Sequence, residues 1–169
     1  MRSKPTKTYQ SFSSKETKRF GERLAARILG DASDMSPKKG ALVLALRGDL
    51  GAGKTTFAQG FLKGLGFKKR AASPTFVLIR RHSLRKRSLK AFTDVFHVDA
   101  YRLKRSTHLA ALGFKEILAD PRHIVLIEWP ERVAGIMPRN AMRLTFRHGK
   151  HENERSIILK QPAQRKKQP

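Results

Sequence analysis

Cysteine is absent from all 169 residues, which excludes disulfide staples, thiolate metal sites and thiol nucleophiles. Any metal must then sit on oxygen or imidazole ligands, and Mg²⁺ is the natural candidate. Acidic residues are scarce: 13 Asp and Glu stand against 37 Lys and Arg, a formal net charge of +24. Such a surface attracts polyanions, nucleic acid among them, without indicating any sequence preference. No apolar run approaches the roughly 20 residues that a membrane span needs. The basic start MRSKPTKTYQ leads into no apolar signal-peptide core, so the protein is expected in the cytoplasm, away from membranes. There is no internal repeat. What is present, 39% apolar residues, suffices for one domain with a real core.

Residues 9–160 are expected to form that domain, with 1–8 and 161–169 as disordered basic tails. Ser13 and Glu16 make a capping box ahead of an amphipathic helix in which Phe20, Leu24 and Ile28 recur every fourth residue. ALVLALR is too short for a helix, and its unbroken apolarity suits a strand buried on both faces of a parallel sheet. A helix follows from Lys54 to about Leu65, with Phe57, Phe61 and Leu62 placed to pack on that sheet. TFVLIR, DVFHVDAY and HIVLIEW read as further strands, and HLAALGFKEILAD as a helix ending near Asp120 and Pro121. MRLTFRH and ERSIILK alternate like a half-exposed hairpin around GKHEN. Strands interleaved with helices make this an α/β chain with a mixed, mostly parallel central sheet and a C-terminal antiparallel hairpin.

Between the buried strand and the following helix stands GDLGAGKT, which fits G-x-x-x-x-G-K-[ST] from Gly48 to Thr55. A polyphosphate can approach backbone N–H groups only where side chains are small, which Gly48, Gly51, Ala52 and Gly53 provide. The helix start adds its unpaired N–H groups and the positive end of its dipole. Lys54 would reach the β- and γ-phosphates of a nucleoside triphosphate, and the Thr55 hydroxyl would ligate Mg²⁺. Asp49 reads first as a turn residue of the loop. An acid at the end of a neighbouring apolar strand commonly supports the ion. Glu128 ends IVLI in that manner, whereas Glu131 lies past the strand.

In FHVDAYR, strand alternation would set His97, Asp99 and Tyr101 on one face. Asp99 is then spaced to orient water or support Mg²⁺ beside the phosphates, while His97 alone would more often be a hydrogen-bonded structural residue. In SPTF, Pro74 stiffens the entry to Thr75, whose hydroxyl could sense a γ-phosphate.

Taken together and in this order, GDLGAGKTTF, SPTF, HVDAYRL, LGF-E and LIEWPE resemble the bacterial TsaE (YjeE) family of P-loop ATPases, from about Ser13 to about Lys160. The resemblance implies a single P-loop NTPase domain and an ATPase needed for threonylcarbamoyladenosine at position 37 of tRNAs that read codons starting with A. It implies action with TsaD- and TsaB-type partners, without transfer of the threonylcarbamoyl group by this protein itself. By position it sets the phosphates of ATP on Leu50 to Thr55, with Asp49 and Thr56 beside them, and Mg²⁺ on Thr55 and Glu128. It marks Lys54 and Asp99 as required for turnover, Thr75 as switch-like, and Trp129 as a neighbour of the nucleotide. Ser14 and the region of Asn153 are expected near the base; for Ser14 a plain helix-start role fits equally well.

The chain departs from that family in RRHSLRKRSLK, which carries six Lys or Arg and no acid. Solvated surface and an electrostatic contact with tRNA, direct or through a partner, both account for it. Two other classes share the cradle: a small-molecule P-loop kinase, and an RNA-binding module with a vestigial P-loop.

Overall fold

In the computed structural model of the chain, which describes residues 6–30, 39–67, 78–84, 91–103 and 107–161, the apolar run ahead of the glycine loop is the strand that its composition implies. The elements in chain order are β1 (Thr6–Ser11), α1 (Ser14–Gly30), β2 (Leu42–Arg47), α2 (Lys54–Gly64), β3 (Ile79–Ser83) and β4 (Asp94–Asp99). There follow α3 (Thr107–Ala111), α4 (Phe114–Ala119), β5 (His123–Glu128), a 3-10 segment (Pro130–Ile136), β6 (Met142–His148) and β7 (Arg155–Lys160). All seven strands join one sheet in the order β1-β7-β6-β2-β5-β4-β3. β2 lies at its centre, parallel to β5 on one side and β6 on the other, and β4 continues parallel to β5. β6 and β7 form the antiparallel hairpin expected at the C-terminal end, β1 pairs antiparallel with β7, and β3 with β4. The mixed, mostly parallel α/β sheet is therefore as the sequence pattern implies.

Alternation along the strands divides the core in two. Leu42, Leu44 and Leu46 share one face with Leu126, Leu144, Phe146 and Ile157, and pack on Phe57, Phe61 and Leu62 of α2 and Leu24 and Ile28 of α1. Val43 and Ala45 point the other way, with Val98, Val125 and Ile127, onto Leu109, Phe114 and Val133. The first layer reaches β6 and β7; the second does not, so Arg143, Arg147 and Lys160 stay exposed on that side. α1 and α2 cross closely because small residues meet there: a Cβ at Gly60 would run into the Lys18 backbone.

The helix cap at Ser13 forms, with its Oγ accepting from Glu16 N at 3.2 Å, while the Glu16 carboxylate takes the N–H of Phe12 at 2.7 Å. Three expectations need correction. Thr6 to Thr8, assigned to a disordered tail, pair with β7 in β1, an edge strand with little apolar alternation to reveal it. HLAALGFKEILAD is not one helix: Gly113 takes φ 72°, outside the right-handed helical range, and separates α3 from α4. Of the strand sought in TFVLIR, the described part starts at Ile79, one residue after the first described position, and runs on past Arg80 through the basic IRRHS, held by pairing with β4. Residues 75–77 lie outside the described residues. Among the described residues, no helix is long and apolar enough to cross a membrane.

Candidate functional site

The parallel strands β2, β5 and β4 end side by side, so whatever follows each of them meets at one edge of the sheet. After β2 the chain turns through Gly48 to Gly53 into α2. Gly48 has φ 146° and lies so close to the Phe146 backbone that a Cβ would collide with its carbonyl. Gly53, with φ 99°, caps α2 without any side-chain hydrogen bond, which leaves the first N–H groups of the helix facing outward. Two side chains from the β6–β7 hairpin grip the loop from outside: His148 Nε2 is 3.2 Å from Leu50 O, and Arg155 donates to Gly51 O at 3.2 Å.

Lys54 is 4% exposed, and its ammonium donates to Gly48 O at 2.6 Å and Asp49 O at 2.7 Å. It also sits 3.9 Å from the ring centre of Trp129, a cation–π contact. Burial pushes its pKa below the ordinary lysine value, against the opposing pull of Glu128, Glu131, Asp49 and Asp99. Trp129 reaches that position through a left-handed backbone, φ 58° and ψ 51°, uncommon for a bulky residue. Its N–H donates to Leu46 O, and its ring lies 4.9 Å from that of Tyr101.

Glu128 is 3% exposed at the end of β5. Its Oε2 accepts from the Thr55 hydroxyl at 2.8 Å, and its Oε1 stands 2.9 Å from His97 Nε2. Asp99 is the register partner of Glu128 on β4 and accepts from Tyr101 N at 3.0 Å. β4 stops at Asp99, so Tyr101 stands on the turn beyond the strand and not on the shared strand face expected for it, although it still reaches the same cleft.

That cleft, about 340 Å³, is lined by Leu50, Gly51, Gly53, Lys54, Thr55, Thr56, Asp99, Glu128 and Trp129, together with Tyr101 and Arg102. A smaller recess of about 90 Å³ lies on the other side of the loop, lined by Ser14, Thr17, Gly51, Gly53, Thr56, Asn153 and Arg155. Ser14 and Asn153, far apart in sequence, thus line one recess. The Asp49 side chain is exposed and lines neither space, and the Ala52 side chain is buried in the core. Thr75 lies outside the described residues. The sequence reading missed Thr17 and Arg155 as recess walls; Arg155 had a signal, a cation beside Asn153 in the hairpin.

Thr55 and Glu128 bring a hydroxyl and a carboxylate together, with Asp99 adjacent across the strand pair. Among the described residues no group of three or more His, Cys, Asp or Glu side chains could hold an ion alone. This sparse all-oxygen donor set fits Mg²⁺, which keeps several waters and takes further ligands from phosphates.

A glycine loop at the end of a central parallel strand, its lysine, and an acid on the next strand's end define a P-loop protein of the nucleotide-binding class. The family model described as "Threonylcarbamoyl adenosine biosynthesis protein TsaE" matches residues 11–157. The chain belongs to the TsaE family. It is 35% identical over 120 residues to the tRNA threonylcarbamoyladenosine biosynthesis protein TsaE of Haemophilus influenzae, covering 71% of this chain and 68% of that one. With its Treponema pallidum counterpart it shares 31% over 137 residues, 81% of this chain and 88% of the other. The crystal structure of YdiB from Bacillus subtilis superposes with a TM-score of 0.70 at 25% identity, covering 96% of this chain and 89% of that chain.

Proposed function

We propose that this chain binds Mg²⁺·ATP in the cleft and hydrolyses it weakly alone and faster with TsaD- and TsaB-type partners. The hydrolysis serves threonylcarbamoyladenosine formation at position 37 of tRNAs reading codons that start with A. One observation carries the reading: Lys54, Thr55, Asp99 and Glu128, drawn from three separate parts of the chain, line one cleft with the glycine loop.

Within it, the loop N–H groups and the α2 N-terminus would take the phosphate oxygens, and Lys54 would exchange the carbonyls of Gly48 and Asp49 for them. Thr55 and Glu128 would hold Mg²⁺, which when bound neutralises charge on the phosphates. Asp99, anchored by the Tyr101 N–H, faces the cleft as a carboxylate that can orient a water molecule. A carboxylate there repels the anionic ligand, so its role lies in turnover and not in affinity. Trp129 and Tyr101 form an aromatic wall beside the lysine. Ser14 and Asn153 are assigned to the base side, and Thr75 to sensing the γ-phosphate. The surplus of positive charge favours contact with tRNA, direct or through a partner.

Steady-state ATP turnover by the chain alone and with its partner proteins, run beside formation of the modified nucleoside on tRNA, tests the proposal. Stimulated turnover coupled to modification is expected. Phosphate transfer to a small-molecule acceptor would instead point to a kinase, and RNA binding without turnover to a vestigial loop.

A further inference from the structure

His97 lines neither the cleft nor the smaller recess, yet it touches the carboxylate on which the metal side of the site depends. It is 1% exposed on β4, and the 2.9 Å contact of its Nε2 with Glu128 Oε1 runs between two buried side chains on neighbouring strands. The other oxygen of the same carboxylate accepts from Thr55. Both oxygens of Glu128 are therefore held, one from each side, which fixes the plane of the group.

A carboxylate only accepts, so the shared proton sits on Nε2. Nδ1 is buried with no hydrogen-bond partner among the described residues. A bare lone pair is tolerated there more readily than an orphaned N–H, which agrees with the proton on Nε2. An apolar side chain of similar volume would fill the same space, but it would leave Oε1 of a buried carboxylate without a donor.

We propose that His97 is a positioning residue for the metal site, holding Glu128 so that Oε2 stays beside the Thr55 hydroxyl. The inference rests on the Mg²⁺–nucleotide reading above and adds a residue that touches neither ion nor nucleotide. Partners of this kind behind a metal ligand typically alter metal affinity by about 10- to 100-fold.

The test compares His97→Gln, whose amide nitrogen can stand where Nε2 stands, with His97→Asn, whose amide falls near Nδ1, and with His97→Leu. Calorimetric titration of ATP is run across Mg²⁺ concentrations and again with the ion chelated, with thermal unfolding in parallel. We expect His97→Asn and His97→Leu to need about tenfold more Mg²⁺ for the same affinity, with metal-free ATP binding changed less than twofold. His97→Gln should stay within about threefold of the parent protein. Equal Mg²⁺ requirements for the Gln and Asn variants would overturn the inference, and so would an unchanged requirement in the Leu variant. If the parent protein gains no affinity from Mg²⁺, the nucleotide reading falls with it. Should the variants fail to fold, ¹⁵N NMR of the imidazole in the unmodified protein decides: a proton on Nε2 is expected, and a proton on Nδ1 alone overturns the proposal.

Discussion

The two walls of the cleft are built in opposite ways. The cradle is one contiguous stretch, Gly48 to Thr56, shaped by glycine backbone angles and held by a helix start. The facing wall of Asp99, Glu128 and Trp129 comes from the ends of β4 and β5 and exists only because those strands lie side by side. A local motif can bind phosphate by backbone geometry alone, whereas groups that steer a metal or a water must be placed by the whole sheet. Damage to the cradle should therefore show in binding, and damage to the wall in metal dependence and turnover.

The largest expected effect lies in the cradle. Lys54→Ala should weaken ATP binding by about 100-fold or more in calorimetry, since it removes the charge proposed to face the phosphates. Its pH dependence sharpens the point. Burial lowers the Lys54 pKa in the folded state, so the folded protein loses this proton before the unfolded chain does. Stability from this group should rise with pH between the lowered value and 10.5. Urea unfolding across that alkaline range should show the rise in the parent protein and lack it in Lys54→Ala.

In the wall, Asp99→Ala should bind ATP at least as tightly as the parent while partner-stimulated hydrolysis falls by about 100-fold, a loss confined to turnover. Normal stimulated turnover would make Asp99 a cap for the Tyr101 N–H and no more. Thr55→Ala and Glu128→Gln should each raise the Mg²⁺ requirement by about tenfold with nucleotide still bound. Unchanged Mg²⁺ titrations for both would remove the ion from this wall. The smallest effects belong to the recess behind the loop: Ser14→Ala and Asn153→Ala should each change ATP affinity by about threefold or less in the same titrations, as expected of exposed hydrogen-bonding groups.

What could be read in advance follows the same division. Gly48 to Thr55 announced itself because a short motif fixes its own backbone, and β2 because an unbroken apolar run between turns has few alternatives. Glu128 was legible as the acid ending such a run. β1 was not, since TKTYQS carries almost no apolar alternation and is held by pairing to β7. Nor was the split at Gly113, where continuous helical periodicity hides one left-handed residue. The bond from His97 to Glu128 depends on β4 lying beside β5, and the left-handed turn of Trp129 on where the 3-10 segment begins; neither has a local signature.

Trp129 offers the most direct test of the central claim, because it is the chain's one tryptophan and its ring reaches from the facing wall to the cradle, 3.9 Å from the Lys54 ammonium. A nucleotide that draws Lys54 onto its phosphates must remove the cation from the indole face. Titrating ATP with Mg²⁺ should give a saturable, single-site change in tryptophan fluorescence that is lost in Lys54→Ala. An emission that stays constant while calorimetry records ATP binding would place the nucleotide elsewhere and contradict the account.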